Sequence, residues 1–345
     1  MKKIIKLLLA TALFLSTLTG CMKVSENNGD NTAAQTNEST ATTTSSSNTD
    51  PASEQANSAS DFRYEKTNEG TITIFAYLGS DKDVVIPTSI DECPVTRIEL
   101  AAFHLDKNVT SVVMPDSVTY IGKDAFAKCA ALETVVCSSN LTTISAFAFE
   151  DCISLSNIEL PQSLTHIGYR AFANCTSLKH ITIPRNSLNE NSGECFVDSG
   201  LESVELQEGV SVIPASAFLR THIEEIVLPS TVKSIQGSAF ADCNIKSITL
   251  NEGLETIDSS ALGGNPYTEI VIPSTVTSCS EYAFVDCENL VAVKFEGNAP
   301  NDFLCESDLI NQIFSKYPVN FIIYYHQNAQ GFTSPTWNGY ETAVW

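Results

Sequence analysis

The stretch L-S-N-I-E-L-P-Q-S-L-T-H-I-G-Y-R-A-F-A-N-C, from Leu155 to Cys175, is the most regular copy of a unit that recurs through most of this chain. Leu155, Ile158 and Leu160 are apolar with Glu159 between the last two, the two-residue period of a strand with one wet face. Pro161 lacks a backbone donor and ends that strand. Ser163 to Ile167 reads as a second extended piece that turns Leu164 and Ile167 inward. Gly168 permits the bend after it, and Ala171-Phe172 fills the inside of a tight turn or short helix.

Outward from this copy, the same slot is filled by Phe103, Phe126, Phe149, Phe172, Phe196, Phe218, Phe240, Leu262 and Phe284, in steps of 23, 23, 23, 24, 22, 22, 22 and 22. The strand frame returns as Val112 to Pro115, Ile181 to Pro184, Ile226 to Pro229 and Ile270 to Pro273. One such unit cannot hide its apolar side from water, whereas stacked copies bury a shared core, so the period predicts a solenoid. The step of 22 arises because the link to the next strand is one residue shorter after Phe196, Phe218, Phe240 and Leu262. Pro184 to Ser187 carries an extra residue and Asn191 stands where Ile is expected, which predicts a bulge and a weak point in the stack.

The I-x-I-P, S-V-T-x-I-G and A-F-x-x-C pieces resemble the leucine-rich repeats of BspA-like bacterial surface proteins. Gly70 to Ile74, Val84 to Pro87 and Pro94 to Ile98 resemble that family's first, capping repeat. Phe321 to Tyr325 and Gly331 to Tyr340 resemble its C-terminal piece, so the likeness covers roughly residues 64–345 and lies in spacing rather than in any reactive residue. It implies a β-rich α/β solenoid, a right-handed leucine-rich-repeat stack of 22–23-residue units with terminal caps. The expected divisions are a capping repeat at 62–102, repeats at 103–297 and a C-terminal cap at 298–345. An adhesive role is likewise what the resemblance implies.

The chain opens with a basic Met1-Lys2-Lys3 to Lys6 segment, followed by an apolar run from Leu7 to Leu18. That run is shorter than the ~20 residues a membrane span needs and suits a signal peptide over residues 1–20. Leu18-Thr19-Gly20-Cys21 resembles a bacterial lipobox, which implies that Cys21 is lipidated and becomes the first mature residue. Residues 21–61 are rich in Ser, Thr, Asn and Ala, and Lys23 to Ser60 holds no Leu, Ile or aromatic residue. Such a tract cannot bury enough apolar surface to fold and reads as a disordered tether with a reach of ~35 Å. The expected location is therefore extracytoplasmic, at the cell surface, with the membrane engaged through lipid.

The formal charge is −22, and without Lys2, Lys3 and Lys6 it is −25, with 16 basic against 41 acidic residues. A balance so negative repels phosphodiester backbones, so nucleic acid is not an expected partner. Ten cysteines remain beyond Cys21, and Cys129, Cys152, Cys175, Cys243 and Cys287 fall three residues after the Phe slot. Coil spacing of ~4.8 Å lies within disulfide reach, but parallel side chains in one ladder rarely offer the needed torsion, which favours buried free thiols. The sequence holds no C-x-x-C, H-E-x-x-H, G-x-S-x-G, G-x-G-x-x-G or phosphate loop. His104, His166, His180, His222 and His326 are scattered, so neither a metal, a cofactor nor a catalytic set is expected.

What remains is a surface. Strand periodicity turns Val113, Val136, Glu159, Thr182, Glu205, Val227, Thr249, Val271 and Lys294 outward in successive coils, with Glu133, Glu202, Glu224, Glu225 and Glu269 beside them. From this strip Glu133, Glu159, His180, Thr182, Glu202, Glu205, Glu225, Thr249 and Glu269 are the candidate ligand contacts. A strip of ~40 Å suits a protein or polymer better than a small molecule. The expected function is non-catalytic protein binding or adhesion, with an extracellular protein or glycan as partner, such as a host surface or matrix protein. The alternative is a carbohydrate- or cell-wall-binding lipoprotein, for which Phe147, Tyr169 and Tyr282 would be the aromatic platforms.

Overall fold

The computed structural model describes residues 56–280, 282–300 and 320–345. The leader, the lipobox, Cys21 and residues 22–55 of the expected tether lie outside these, as do Cys305 and part of the expected C-terminal cap.

Each coil contributes two short strands and one turn, and each of the three stacks on its counterpart. The product is a parallel β-solenoid of about 11 turns of ~23 residues. The second strands form a continuous ladder at first, running in parallel from Ile72–Tyr77 through Cys93–Ile98, Tyr120–Ile121 and Thr143–Ile144 to His166–Ile167. Phe62–Lys66 runs antiparallel along the outer edge of Ile72–Tyr77. The ladder then stops and resumes as Val212–Ile213, Ser234–Ile235, Thr256–Ile257 and Ser278–Cys279. The gap is the coil whose sequence carries the extra residue. There the Ile167 N–H donates to Ser187 C=O, and the buried Ser192 hydroxyl donates to Ile167 C=O. Asn191 is exposed, so the missing Ile is answered by local polar bonds rather than by a strand.

The first-strand ladder begins with Asp83–Val85, Ser111–Val113, Thr134–Val136 and Asn157–Ile158. Its near edge is met by Asn57, whose N–H donates to Val85 C=O at 2.9 Å and whose Oδ1 accepts from Val85 N–H at 2.7 Å. The middle residue of each strand is buried at Val112, Val135, Ile158, Ile181, Ile226 and Ile270.

The turns hold no α-helix. Among the described residues the one helical element is a three-residue 3-10 turn, Ala59–Asp61, so the α part of the expected α/β class is corrected to turn. The reason is conformational. Residues two before and two after the Phe slot take the left-handed region, as at Asp124 (φ 56°) and Lys128 (φ 63°), or Arg170 (φ 53°) and Asn174 (φ 60°). That alternation aims every second N–H at the next coil: Asp124, Phe126 and Lys128 donate to Ala146, Ala148 and Glu150 C=O at 3.2, 2.8 and 2.7 Å. A continuous helix would spend those donors within its own coil. The strain of a left-handed non-glycine residue, ~1–2 kcal/mol, is offset by these bonds and eased where Asp or Asn fills the slot.

Inside the turns the Phe rings form a column. Phe126, Phe149, Phe172, Phe196, Phe218 and Phe240 are fully buried. From Tyr77 and Phe103 to Phe240, successive centroids are 4.7–5.5 Å apart and ring planes lie within 20° of parallel. The cysteine slot beside the column is polar as well as apolar. Cys129, Cys152 and Cys175 are free, and their thiols donate to the carbonyls of Phe103, Phe126 and Phe149 at 3.0, 3.0 and 3.2 Å. Gly168 is also used differently from expectation. Its φ is not left-handed; a Cβ there would lie 2.4 Å from the Ala146 nitrogen of the preceding coil.

Candidate functional site

The strand period places the nine candidate contacts on one face. All are exposed except Thr182, which is half-buried. Register shows which of them are neighbours: His180 pairs with Ser203 and Thr182 with Glu205 in adjacent coils. His180 Nδ1 lies 2.9 Å from Ser203 Oγ, and Thr182 Oγ1 donates to Glu205 Oε2 at 3.3 Å. Several carboxylates on the face meet cations from an adjacent coil. Lys179 Nζ is 3.0 Å from Glu202, Lys246 Nζ is 2.7 Å from Glu224, and Lys294 pairs with Glu269. Thr249 stands on the strand paired with Glu225–Val227 and lines a separate small pocket with Glu269, while Glu133 and Glu159 lie on earlier coils of the same face. Of the valines expected there, Val136, Val227 and Val271 are exposed and Val113 is half-buried; Val227, at 69%, is the most exposed large apolar side chain among the described residues.

One feature of this face is not legible from periodicity. After Asn157–Ile158 the first strands continue as separate sheets: His180–Ile183 with Ser203–Leu206, and Glu225–Val227 with Ser247–Thr249. A further sheet begins with Glu269–Ile272 and Ala292–Phe295. Between Ser203–Leu206 and Glu225–Val227 the strands part. Where strands remain joined, the Met114 N–H donates to Val136 C=O at 3.0 Å and the Leu228 N–H to Thr249 C=O at 3.2 Å. Among the described residues Ser203–Leu206 and Glu225–Val227 share no ladder, although the two strands still lie close together. The parting leaves Val204 half-buried where its counterparts Ile181 and Ile226 are buried.

A groove occupies this opening. One part, about 520 Å³, is lined by Val204, Leu206, Glu205, Glu208, Val227 and Pro229. An adjoining part of about 680 Å³ is lined by Glu202, Ser203, His222, Glu224, Glu225 and Asn244. Three candidate contacts, Glu202, Glu205 and Glu225, therefore meet at one groove. Glu208, which lies beyond the strand and so is not marked by its period, joins them. Its carboxyl accepts from the Ser230 backbone N–H at 3.0 Å and hydroxyl at 2.9 Å, and those bonds hold it below the usual carboxylate range.

The aromatic alternative has a smaller footprint. Phe147 and Tyr169 are neighbours at the turn edge, with centroids 5.4 Å apart and edge-to-face, and Lys123 Nζ lies 5.4 Å from the Phe147 centroid. The Tyr169 hydroxyl donates to Glu194 at 2.8 Å.

Residues 96–222 and 211–307 match the model of the BspA type leucine rich repeat region, in six copies. The chain belongs to the BspA-type leucine-rich-repeat family. This BspA-type chain is similar in fold to a leucine-rich repeat protein from Bacteroides ovatus, with TM-score 0.62 and 23% identity, covering 77% of this chain and 70% of that one. It is also similar to a leucine rich cell surface protein from Faecalibacterium prausnitzii, with TM-score 0.53 and 22% identity, covering 79% of this chain and 89% of that one. No curated protein matches the sequence.

Proposed function

We propose that this BspA-type protein is a lipid-anchored, non-catalytic binding protein displayed at the bacterial surface, and that its first-strand face engages an extracellular protein or glycan. The observation that carries this reading is the face itself: successive coils present Glu159, Thr182, Glu205, Val227 and Thr249 on one side, with Thr182 paired to Glu205 and Val227 to Thr249, above a core sealed by the coil stack. A long face built from repeated strands suits an extended partner. Lipid on Cys21 and the Ser/Thr-rich tether would hold that face clear of the membrane.

The test pairs location with binding. Cys21→Ala should move the protein from the detergent phase to the aqueous phase and strip it from intact cells. The full chain should bind saturably to at least one member of an array of purified matrix proteins and glycans, and Glu159→Lys with Glu205→Lys should weaken that binding. Only salt-sensitive background on the array, unaffected by the double variant, would refute the reading.

A further inference from the structure

Where the second-strand ladder stops, side-chain bonds take the place of strand pairing. The His166–Ile167 strand pairs with Thr143–Ile144 on one side. On its other side it meets residues 187–192, which form no strand. Three contacts close that seam. The Ile167 N–H donates to Ser187 C=O at 3.0 Å, the buried Ser192 hydroxyl donates to Ile167 C=O, and Asn189 Nδ2 lies 3.2 Å from His166 Nδ1.

Asn189 can present only its side-chain nitrogen to the ring. Its Oδ1 is taken up by the Asn191 N–H at 2.9 Å, and its own backbone N–H donates to Ser192 Oγ at 3.1 Å, so the side chain is held in a local turn. With Nδ2 as the donor, His166 Nδ1 must accept, which selects the neutral ring with its proton on Nε2. A second proton would set an N–H on Nδ1 against the amide N–H groups, donor facing donor.

We propose that His166 is a proton-sensitive catch in the solenoid: imidazolium formation expels the Asn189 amide and frees residues 187–192 from the His166–Ile167 strand, opening the stack locally in mild acid. The inference goes beyond the surface-binding reading and does not depend on it.

The surroundings offer the cation nothing in exchange. Thr143 faces His166 in register from the coil before, Asn189 faces it from the coil after, and neither ionises. Among the described residues no charged side chain acts on the ring. Arg170, on the same coil, is engaged with Glu150 and Glu194, and Glu190, beside Asn189, is exposed. The ring is half-buried, and burial holds it below the ordinary histidine value. The folded ring therefore resists a proton that the unfolded chain takes near pH ~6.5, so its contribution is full above that pH and is lost as pH falls below it. His180 crosses the same seam on the first-strand side, with Nδ1 2.9 Å from Ser203 Oγ. A hydroxyl can accept from a protonated ring as well as donate to a neutral one, so that contact survives acid. The paired strands His180–Ile183 and Ser203–Leu206 hold while the opposite side opens.

Hydrogen exchange on the full chain tests this, with protection at the Ile167, Asn189 and Ser192 amides corrected for the intrinsic rate at each pH. Between about pH 7.5 and about pH 5, either side of ~6.5, protection there should fall about fivefold, the worth of one hydrogen bond. The Ser145 and Gln236 amides donate to Ile121 and Ile213 C=O in regular stretches of the second strands and should change less than about twofold. His166→Gln supplies an acceptor that does not titrate and should abolish the response. Asn189→Asp supplies a carboxylate that accepts from the imidazolium, so protection should rise in acid instead of falling. Unchanged protection in the wild-type chain would overturn the proposal. So would a fall of the same size in His166→Gln, or an Asn189→Asp chain that loosens in acid as the wild type does.

Discussion

Phe172→Ala perturbs the interior at its most regular point. The Phe172 ring is fully buried, with neighbours Phe149 and Phe196 both at 5.2 Å and within 8° of parallel. Truncation removes two ring pairs worth ~0.5–1.5 kcal/mol each and leaves a cavity, and buried Phe→Ala changes generally cost ~3–5 kcal/mol. Backbone on both sides is pinned by the Phe172 and Phe149 N–H bonds to Cys195 and Ala171 C=O, both at 2.8 Å, so collapse into the cavity is restricted and the upper half of that range is expected. Phe172→Leu isolates the ring term, because Leu262 already fills the same slot with full burial. It should cost only ~1–2 kcal/mol. Urea unfolding of the full chain, followed by circular dichroism, provides the assay; the midpoint should fall with the slope unchanged. Alanine at Tyr169 on the exposed turn edge serves as control. If Phe172→Ala costs less than ~1 kcal/mol, or no more than Tyr169→Ala, the column is not what holds the coils together.

Three further outcomes follow from single contacts. Gly200→Ala should cost ~1–3 kcal/mol in the same assay, because a Cβ at Gly200 would stand 2.0 Å from the Thr176 carbonyl oxygen; a neutral effect would show that the coil relaxes freely there. Ser199 occupies the cysteine slot after Phe196 with its hydroxyl buried and without a partner among the described residues, so Ser199→Cys should raise stability by ~1 kcal/mol, and a loss would contradict the thiol-ladder account. Burial pushes the Cys129 thiol up to about 12, so the folded state stays protonated while the unfolded thiol ionises near ~8.5. Its contribution is full below ~8.5 and is lost as pH climbs toward 12. The urea midpoint should fall across that window less steeply in Cys129→Ala than in wild type, and parallel slopes would refute the assignment.

Much of this architecture can be read from apolar spacing alone. The Phe interval sets the coil, the I-x-I-P frame sets the first strand, and the displaced Asn191 marks where the second-strand ladder stops. The turn was harder, because a short apolar piece such as Ala171-Phe172 fits a helix and a left-handed turn equally well. A signal was present: Asp151, Asn174, Asp198, Asp242, Gly264 and Asp286 recur two residues after the Phe slot, and these types tolerate positive φ. The sequence around Gly168 fits a bend, yet the glycine answers to the backbone of the previous coil, a contact no local pattern encodes. For the site, periodicity fixed which residues face outward but not which gather. Glu202, Glu205 and Glu225 come together on two neighbouring coils where first-strand pairing lapses, and pairing also lapses between Asn157–Ile158 and His180–Ile183 and between Ser247–Thr249 and Glu269–Ile272, so coil spacing alone does not mark it.

Hydrogen exchange at the Phe-slot amides tests coil-on-coil stacking most directly. The Phe126, Phe149, Phe172, Phe196, Phe218 and Phe240 N–H groups each donate to the carbonyl of the next coil at 2.8–2.9 Å, from buried positions. They should be among the slowest amides in the chain, recurring at the interval of the repeat. Exchange of these amides at the rate of an unfolded peptide, or protection without that interval, would contradict the stack and with it the face that the coils present.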